Sequence, residues 1–149
     1  MKPIEAYVSA LKNGPEKDTR DIACQASYTA CLYASHIDES PRKDTRKAAC
    51  EDSYDAYIYA RIVDKGPTKD TRKAVCKNPE YAYMYALTID KKPRKDTREG
   101  ACKDPEWAYK YAVSIDKSFH EDTYNAVLNT EYEEKYKEFI NNLIKEEIV

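Results

Sequence analysis

The chain has 149 residues, of which 42% are apolar or aromatic and 35% charged, with a formal net charge of −2. That is enough for one domain with a real core. It excludes a disordered acidic tail and, by bulk charge, a strongly basic nucleic-acid binder. Three glycines argue against a glycine-rich phosphate loop and a turn-rich all-β fold, and no apolar run approaches the ~20 residues that span a bilayer.

The first stretch, "MKPIEAYVSALKNGPEKD", has neither the apolar segment nor the small-residue cleavage site of a signal peptide. Five cysteines are an odd number, and four recur at one spacing. Reduced thiols in a cytoplasm are the expectation, with no membrane association.

From residue 18 the chain repeats itself. "DTR" begins at Asp18, Asp44, Asp70 and Asp96, each 26 residues after the last, and a degenerate "DTY" begins at Asp122. Cys24, Cys50, Cys76 and Cys102 keep that step, as do Tyr33, Tyr59, Tyr85 and Tyr111, and Asp38, Asp64, Asp90 and Asp116. The organisation predicted is a single helical-repeat domain over 1–149. It has a half repeat over 1–17, with Tyr7 and Pro15 in their repeat slots, and full repeats over 18–43, 44–69, 70–95 and 96–121. A degenerate repeat and capping helix occupy 122–149.

Each repeat reads as two helices. The first is short, with the Asp of "DTR" as N-cap, as in Asp70 before "TRKAVCK". The second begins at Asn78, Asp104 or Asp52 as N-cap. Pro79 and Pro105 stand at the first helical position, where a missing N–H costs nothing. Asp55 adds an acidic partner in the first turn. Alternating Tyr and Ala could suggest a strand, but the caps, the proline and the length decide for helix. At 100° per residue, Ala56, Tyr59, Ala60 and Val63 share an inward face, as do Ala82, Tyr85, Ala86 and Ile89. The slot of Ile58, shared by Leu32, Met84 and Lys110, points away. Tyr57, Tyr83 and Tyr109 lie on the flank between.

A pair of helices this short cannot bury its apolar stripe alone, whereas a stack can. The fold class predicted is all-α: an α-solenoid of short antiparallel helix pairs, roughly eleven helices in all. "TEYEEKYKEFINNLIKEEIV" departs from the repeat and reads as a long amphipathic helix, with Tyr132, Tyr136, Phe139, Ile140, Leu143 and Ile144 on one face. It is expected to cap the stack, and a dimerising helix is the rival reading, so monomer and homodimer both stay open.

"DTR…C" followed by "NPEYAYMYA" or "DPEWAYKYA" resembles the tyrosine-rich tandem helical repeats of bacteriophages and other large viruses, over about Pro3 to Leu128. A looser likeness is to the short helical repeats of some bacterial effectors. The resemblance implies a helical array, a phage or viral origin and the cytoplasm of an infected host. It implies no shared catalytic activity.

Zinc sites want clustered ligands such as C-x₂-C pairs, whereas Cys24, Cys50, Cys76 and Cys102 stand one per repeat, with Leu128 in the fifth slot. They are expected to pack as small buried apolar groups. Cys31 takes the slot of Tyr57 and is expected on the partly exposed flank. His36 and His120 have no sequence-local nucleophile or metal partner, and no catalytic motif is present. No enzyme activity, cofactor or metal is expected. The "DTR" arginines recur with the Asp that ends each long helix, where a carboxylate opposes the helix dipole. A compensating pair across each inter-repeat loop, such as Asp64 with Arg72, is the expectation.

Two surfaces remain as candidates. A tyrosine ladder of Tyr57, Tyr83 and Tyr109, with Met84 and Lys110 beside it, suits a protein partner, although core and interface remain even readings for it. A basic rim of Arg42, Lys43, Lys69, Arg94 and Lys95 suits phosphate or nucleic acid, with a solvated rim of local ion pairs as the plain alternative. The function expected is a non-catalytic protein-binding repeat module of a phage that captures or blocks a host protein. Nucleic-acid binding and a structural virion role are the alternatives.

Overall fold

A computed structural model describes residues 1–148. The fold is all-α, a helical repeat of the solenoid class, and among the described residues there is no strand. Two compact units divide the chain, Met1–Val75 and a second that begins at Cys76, so the division falls within the repeat over 70–95.

The first unit holds α1 (Pro3–Asn13), α2 (Lys17–Ala23), α3 (Ser27–Tyr33), α4 (Lys43–Ala49), α5 (Ser53–Tyr59) and α6 (Lys69–Val75). Here α1, α3 and α5 lie side by side, each packed on the short helix that follows it. The second unit holds α7 (Pro79–Tyr85), α8 (Lys95–Ala101), α9 (Pro105–Tyr111), α10 (Glu121–Val127) and α11 (Glu133–Ile148), with α7 beside α9 and the same packing on α8 and α10.

The long helices start as their caps require. The carboxylate of Asp104 accepts from the N–H groups of Glu106 and Trp107, the side chain of Asn78 from those of Glu80 and Tyr81, and Asp52 from that of Asp55. The long helices end at the aspartates the sequence pointed to, but in a form it did not mark. After α3, α5, α7 and α9 the chain continues as a five-residue π turn, Ala34–Asp38, Ala60–Asp64, Ala86–Asp90 and Ala112–Asp116. A left-handed residue then stops it: Glu39, Lys65, Lys91 or Lys117, with φ between 49° and 53°. No glycine marks these stops, although a left-handed non-glycine residue costs about 1–2 kcal/mol.

The short helices begin differently from expectation. α4 starts at Lys43, so Asp44 is not its N-cap but lies in its first turn, where its carboxylate accepts from the N–H of Thr45. The capping work passes to a tyrosine of the long helix. The Tyr59 hydroxyl lies 2.8 Å from that of Thr45, accepts from the N–H of Arg42 and donates to the Arg42 carbonyl. Tyr33 does the same with Thr19 and Glu16, and Tyr111 with Thr97 and Arg94.

Beside each such tyrosine lies an ion pair, and it corrects the expected partner. Asp64 is held by Arg46 of its own repeat, through Nε to both carboxylate oxygens at 3.1 Å and through Nη2 at 2.5 Å, rather than by Arg72 across a loop. Arg20 holds Asp38, and Arg98 holds Asp116 at 2.6 and 2.7 Å. Each of these three guanidinium groups also lies over its tyrosine ring, 5.4–5.8 Å from the centroid. Thr, Arg, Tyr and Asp thus form one node that ties the short helix to the C-terminal half of the long helix.

The fifth copy keeps the node in altered form. Tyr136 of α11 is buried, its hydroxyl 2.8 Å from that of Thr123 and bonded to the His120 backbone. Tyr124, where other copies carry arginine, packs its ring on Tyr136 at 5.4 Å. The first turns of α11 therefore act as the long helix of the fifth copy. Tyr132, Phe139 and Ile140 pack around Ala108, Ala112 and Val127, while Ile144 further along is exposed.

At the other end the register slips. The buried alanines of α1 are Ala6 and Ala10, so "EAYVSA" matches "DAYIYA" and Tyr7 takes the slot of Tyr57, not that of Tyr59. The cysteines differ too. Cys24, Cys50 and Cys102 stand at helix C-caps, half-buried, and Leu128 is exposed where the chain leaves the helix. Cys31 is the buried one, its thiol donating to the Asp55 carbonyl at 3.3 Å.

Candidate functional site

Pro3, Ser27, Ser53, Pro79 and Pro105 are the first residues of α1, α3, α5, α7 and α9, which sets five helices in one register. The next residue in each is Ile4, Tyr28, Tyr54, Glu80 and Glu106. One turn on come Val8, Leu32, Ile58, Met84 and Lys110, and a turn further Lys12, His36, Ile62, Thr88 and Ser114. Residues four apart on a helix share a face, so each helix carries a three-residue stripe.

In the first unit the first two positions of that stripe are apolar, and the third holds Lys12, His36 and Ile62, all exposed. Tyr28 is 58% exposed, Tyr54 49% and Ile62 51%, while Ile4 and Val8 are exposed and Leu32 and Ile58 half-buried. Because α1, α3 and α5 lie side by side, their apolar positions join into one surface. In the second unit the same slots are polar. Lys110 bonds Glu106 at 2.6 Å and its ammonium sits 4.1 Å from the Trp107 ring centroid. Met84 is half-buried.

The predicted tyrosine ladder is a seam more than a surface. Tyr57 is only 5% exposed. Tyr83 stacks on Trp107 with centroids 5.4 Å apart, and Tyr109 on Tyr132 at 5.8 Å. Tyr7, in the same slot, places its hydroxyl 2.9 Å from His36 Nδ1. Within each unit this slot joins one long helix to the next, which draws its tyrosines inward. The residues that stand out are those at Tyr28, Tyr54 and Ile62. The order of Ile4, Tyr28, Tyr54, Glu80 and Glu106, apolar then acidic, was the sequence signal for them.

The basic residues are divided between the units and largely paired at home. Arg42 lies 3.5 Å from Asp44 and 4.0 Å from Asp38, Arg94 3.5 Å from Asp96, and Lys95 3.7 Å from Glu99. Lys43 and Lys69 are exposed. In two of the copies the "DTR" aspartate, Asp44 or Asp96, thus stands against the arginine two residues before it.

Burial holds three of the five thiols, those of Cys24, Cys31 and Cys102, protonated. Cys24 is pushed up to about 11, and Cys31 and Cys102 to about 12, so little thiolate is available for nucleophilic chemistry or metal ligation. Among the described residues, no group of His, Cys, Asp and Glu side chains is placed to hold a metal ion, and no helix is long and apolar enough to cross a membrane.

Fold and surface together define a helical-repeat protein whose first unit exposes Ile4, Val8, Tyr28 and Tyr54 at slots that hold Glu80, Met84, Glu106 and Lys110 in the second. No protein-family model, curated protein or solved structure matches this chain.

Proposed function

We propose that the chain is a non-catalytic protein-binding module that engages its partner through the exposed face of α1, α3 and α5. The observation that carries this reading is the apolar stripe of Tyr28, Tyr54 and Ile62 with Ile4 and Val8, all exposed on three adjacent helices. A contiguous apolar patch of this kind marks an interaction surface, and exposed tyrosine suits one because it contributes contact area at low entropic cost. The same slots carry Glu80, Glu106 and Lys110 in the second unit, so the repeat does not need them apolar. The likeness of the repeat to those of phage and viral proteins makes a protein of an infected host the partner we have in mind.

Affinity capture from host lysate, with and without nuclease, tests the reading. The full chain should retain a protein that nuclease does not release and that Tyr28→Glu with Ile62→Glu no longer captures. Capture that survives both substitutions, or that nuclease or moderate salt abolishes, would contradict it and favour a polyanionic ligand.

A further inference from the structure

The inference rests on the protein-binding reading above and concerns what the face accepts. Between α3 and α5 runs a cavity of about 150 Å³ lined by Tyr28, Leu32, Tyr54, Ile58 and Asp55. A wider hollow of about 470 Å³ shares Ser35, Ile62 and Val63 with it and reaches Glu39 and Lys65. The two adjoin through these shared residues and form one trough; the first is mostly apolar but also lined by His36, and the second is the more polar.

Asp55 does not fit an apolar wall. It is 7% exposed, the Ser27 hydroxyl donates to its carboxylate, the neighbouring charge is Asp52, and burial raises its pKa. Among the described residues no Lys, Arg or His forms an ion pair with it. A buried carboxylate is costly unless a cation joins it. The same slot holds Thr29, Tyr81 and Trp107 in three other long helices, and in α1 it holds Glu5, which accepts from the N–H of Lys2. Thr29 is satisfied locally, donating to the carbonyls of Ala23 and Ala26. Asp55 therefore adds a buried carboxyl group, bonded by Ser27 and beside no cation among the described residues, to the lining of a mostly apolar cavity, where it is complementary to an incoming cation.

The form of the occupant follows from the backbone. No strand edge is present among the described residues, so a bound segment cannot extend a sheet and must satisfy its own peptide groups as it enters the trough. A helix does that. We propose that the trough between α3 and α5 receives an amphipathic helix of the partner protein, with a lysine or arginine flanked by apolar side chains and its cation seated on Asp55. The methylene stem of that residue packs against Leu32 and Ile58 while the charged head reaches the carboxylate.

The test is a display library of amphipathic helical peptides, randomised along one face and selected against the full chain. Recovered peptides are then measured against Asp55→Asn and against Asp55→Thr, the residue the fold itself uses at position 29. The expected peptides carry Lys or Arg with apolar residues a turn to either side, and they lose about tenfold or more in affinity for both Asp55 variants. Peptides that depend on Tyr28 and Ile62 but carry no basic residue, and bind the Asp55 variants equally, would overturn the inference and leave the protein-binding reading standing. Peptides indifferent to Tyr28→Glu and Ile62→Glu, or none recovered at all, would overturn both.

Discussion

The hydroxyl of Thr45 lies 2.8 Å from that of Tyr59, and the same distance separates Thr19 from Tyr33 and Thr97 from Tyr111. This pair explains why the repeat returns to tyrosine: a phenylalanine would fill the core but leave the start of the short helix uncapped. Tyr59→Phe should cost about 1–3 kcal/mol in urea unfolding, because the N–H of Arg42 and the Thr45 hydroxyl lose a buried partner. Tyr28→Phe, on the exposed face, should stay within about 0.5 kcal/mol.

Arg46 and Asp64 are the second half of the node. Arg46→Met strands a carboxylate whose side chain is only 3% exposed and should destabilise by about 3–5 kcal/mol. Arg46→Met with Asp64→Leu should recover much of that loss, since both charges then leave the interior. A double-mutant cycle reads the difference.

Alkaline pH should attack the same nodes. Burial raises the hydroxyl pKa of Tyr59, Tyr111 and Tyr136 above the ordinary 10.0. A group whose folded pKa is raised contributes stability that is complete below its unfolded pKa and lost as pH rises through the folded one. Melting temperature should therefore be insensitive to these groups below about pH 10 and fall above it. The share of tyrosinate absorbance that Tyr59→Phe, Tyr111→Phe or Tyr136→Phe removes should appear together with loss of helicity, not before it.

Gly100 reverses a common rule. Alanine in place of a helical glycine normally stabilises by about 1 kcal/mol. Here an added Cβ would lie 2.8 Å from the Ala82 Cβ and 3.1 Å from the Cys76 backbone, and the backbone cannot yield. Gly100→Ala should be destabilising by about 1 kcal/mol or more, measured by chemical denaturation.

The helices, their order and the inward face of Ala56, Tyr59 and Ala60 were legible because caps, prolines and spacing all agree. The Arg–Asp pair was legible as a need, since Asp64 ends a helix, but its partner was not. The π turn carries no sequence marker, and Arg46 and Arg72 are equally plausible on paper. The face at Tyr28, Tyr54 and Ile62 was readable only once the first residues of the long helices were aligned. The two-residue slip at Tyr7 obscured that register. Tyr57 looked like an edge because helical phase alone does not fix how deeply a position on the flank is buried.

The most direct measurement of the central claim is site-specific photocrosslinking to the partner from the intact chain. A photoreactive residue replaces Tyr28, Tyr54 or Ile62 in turn, with Lys43, Glu80 and Ser114 as comparison positions. The account predicts a protein adduct from the first three and none from the others. Adducts concentrated at Lys43, or spread equally over Glu80 and Ser114, would contradict it.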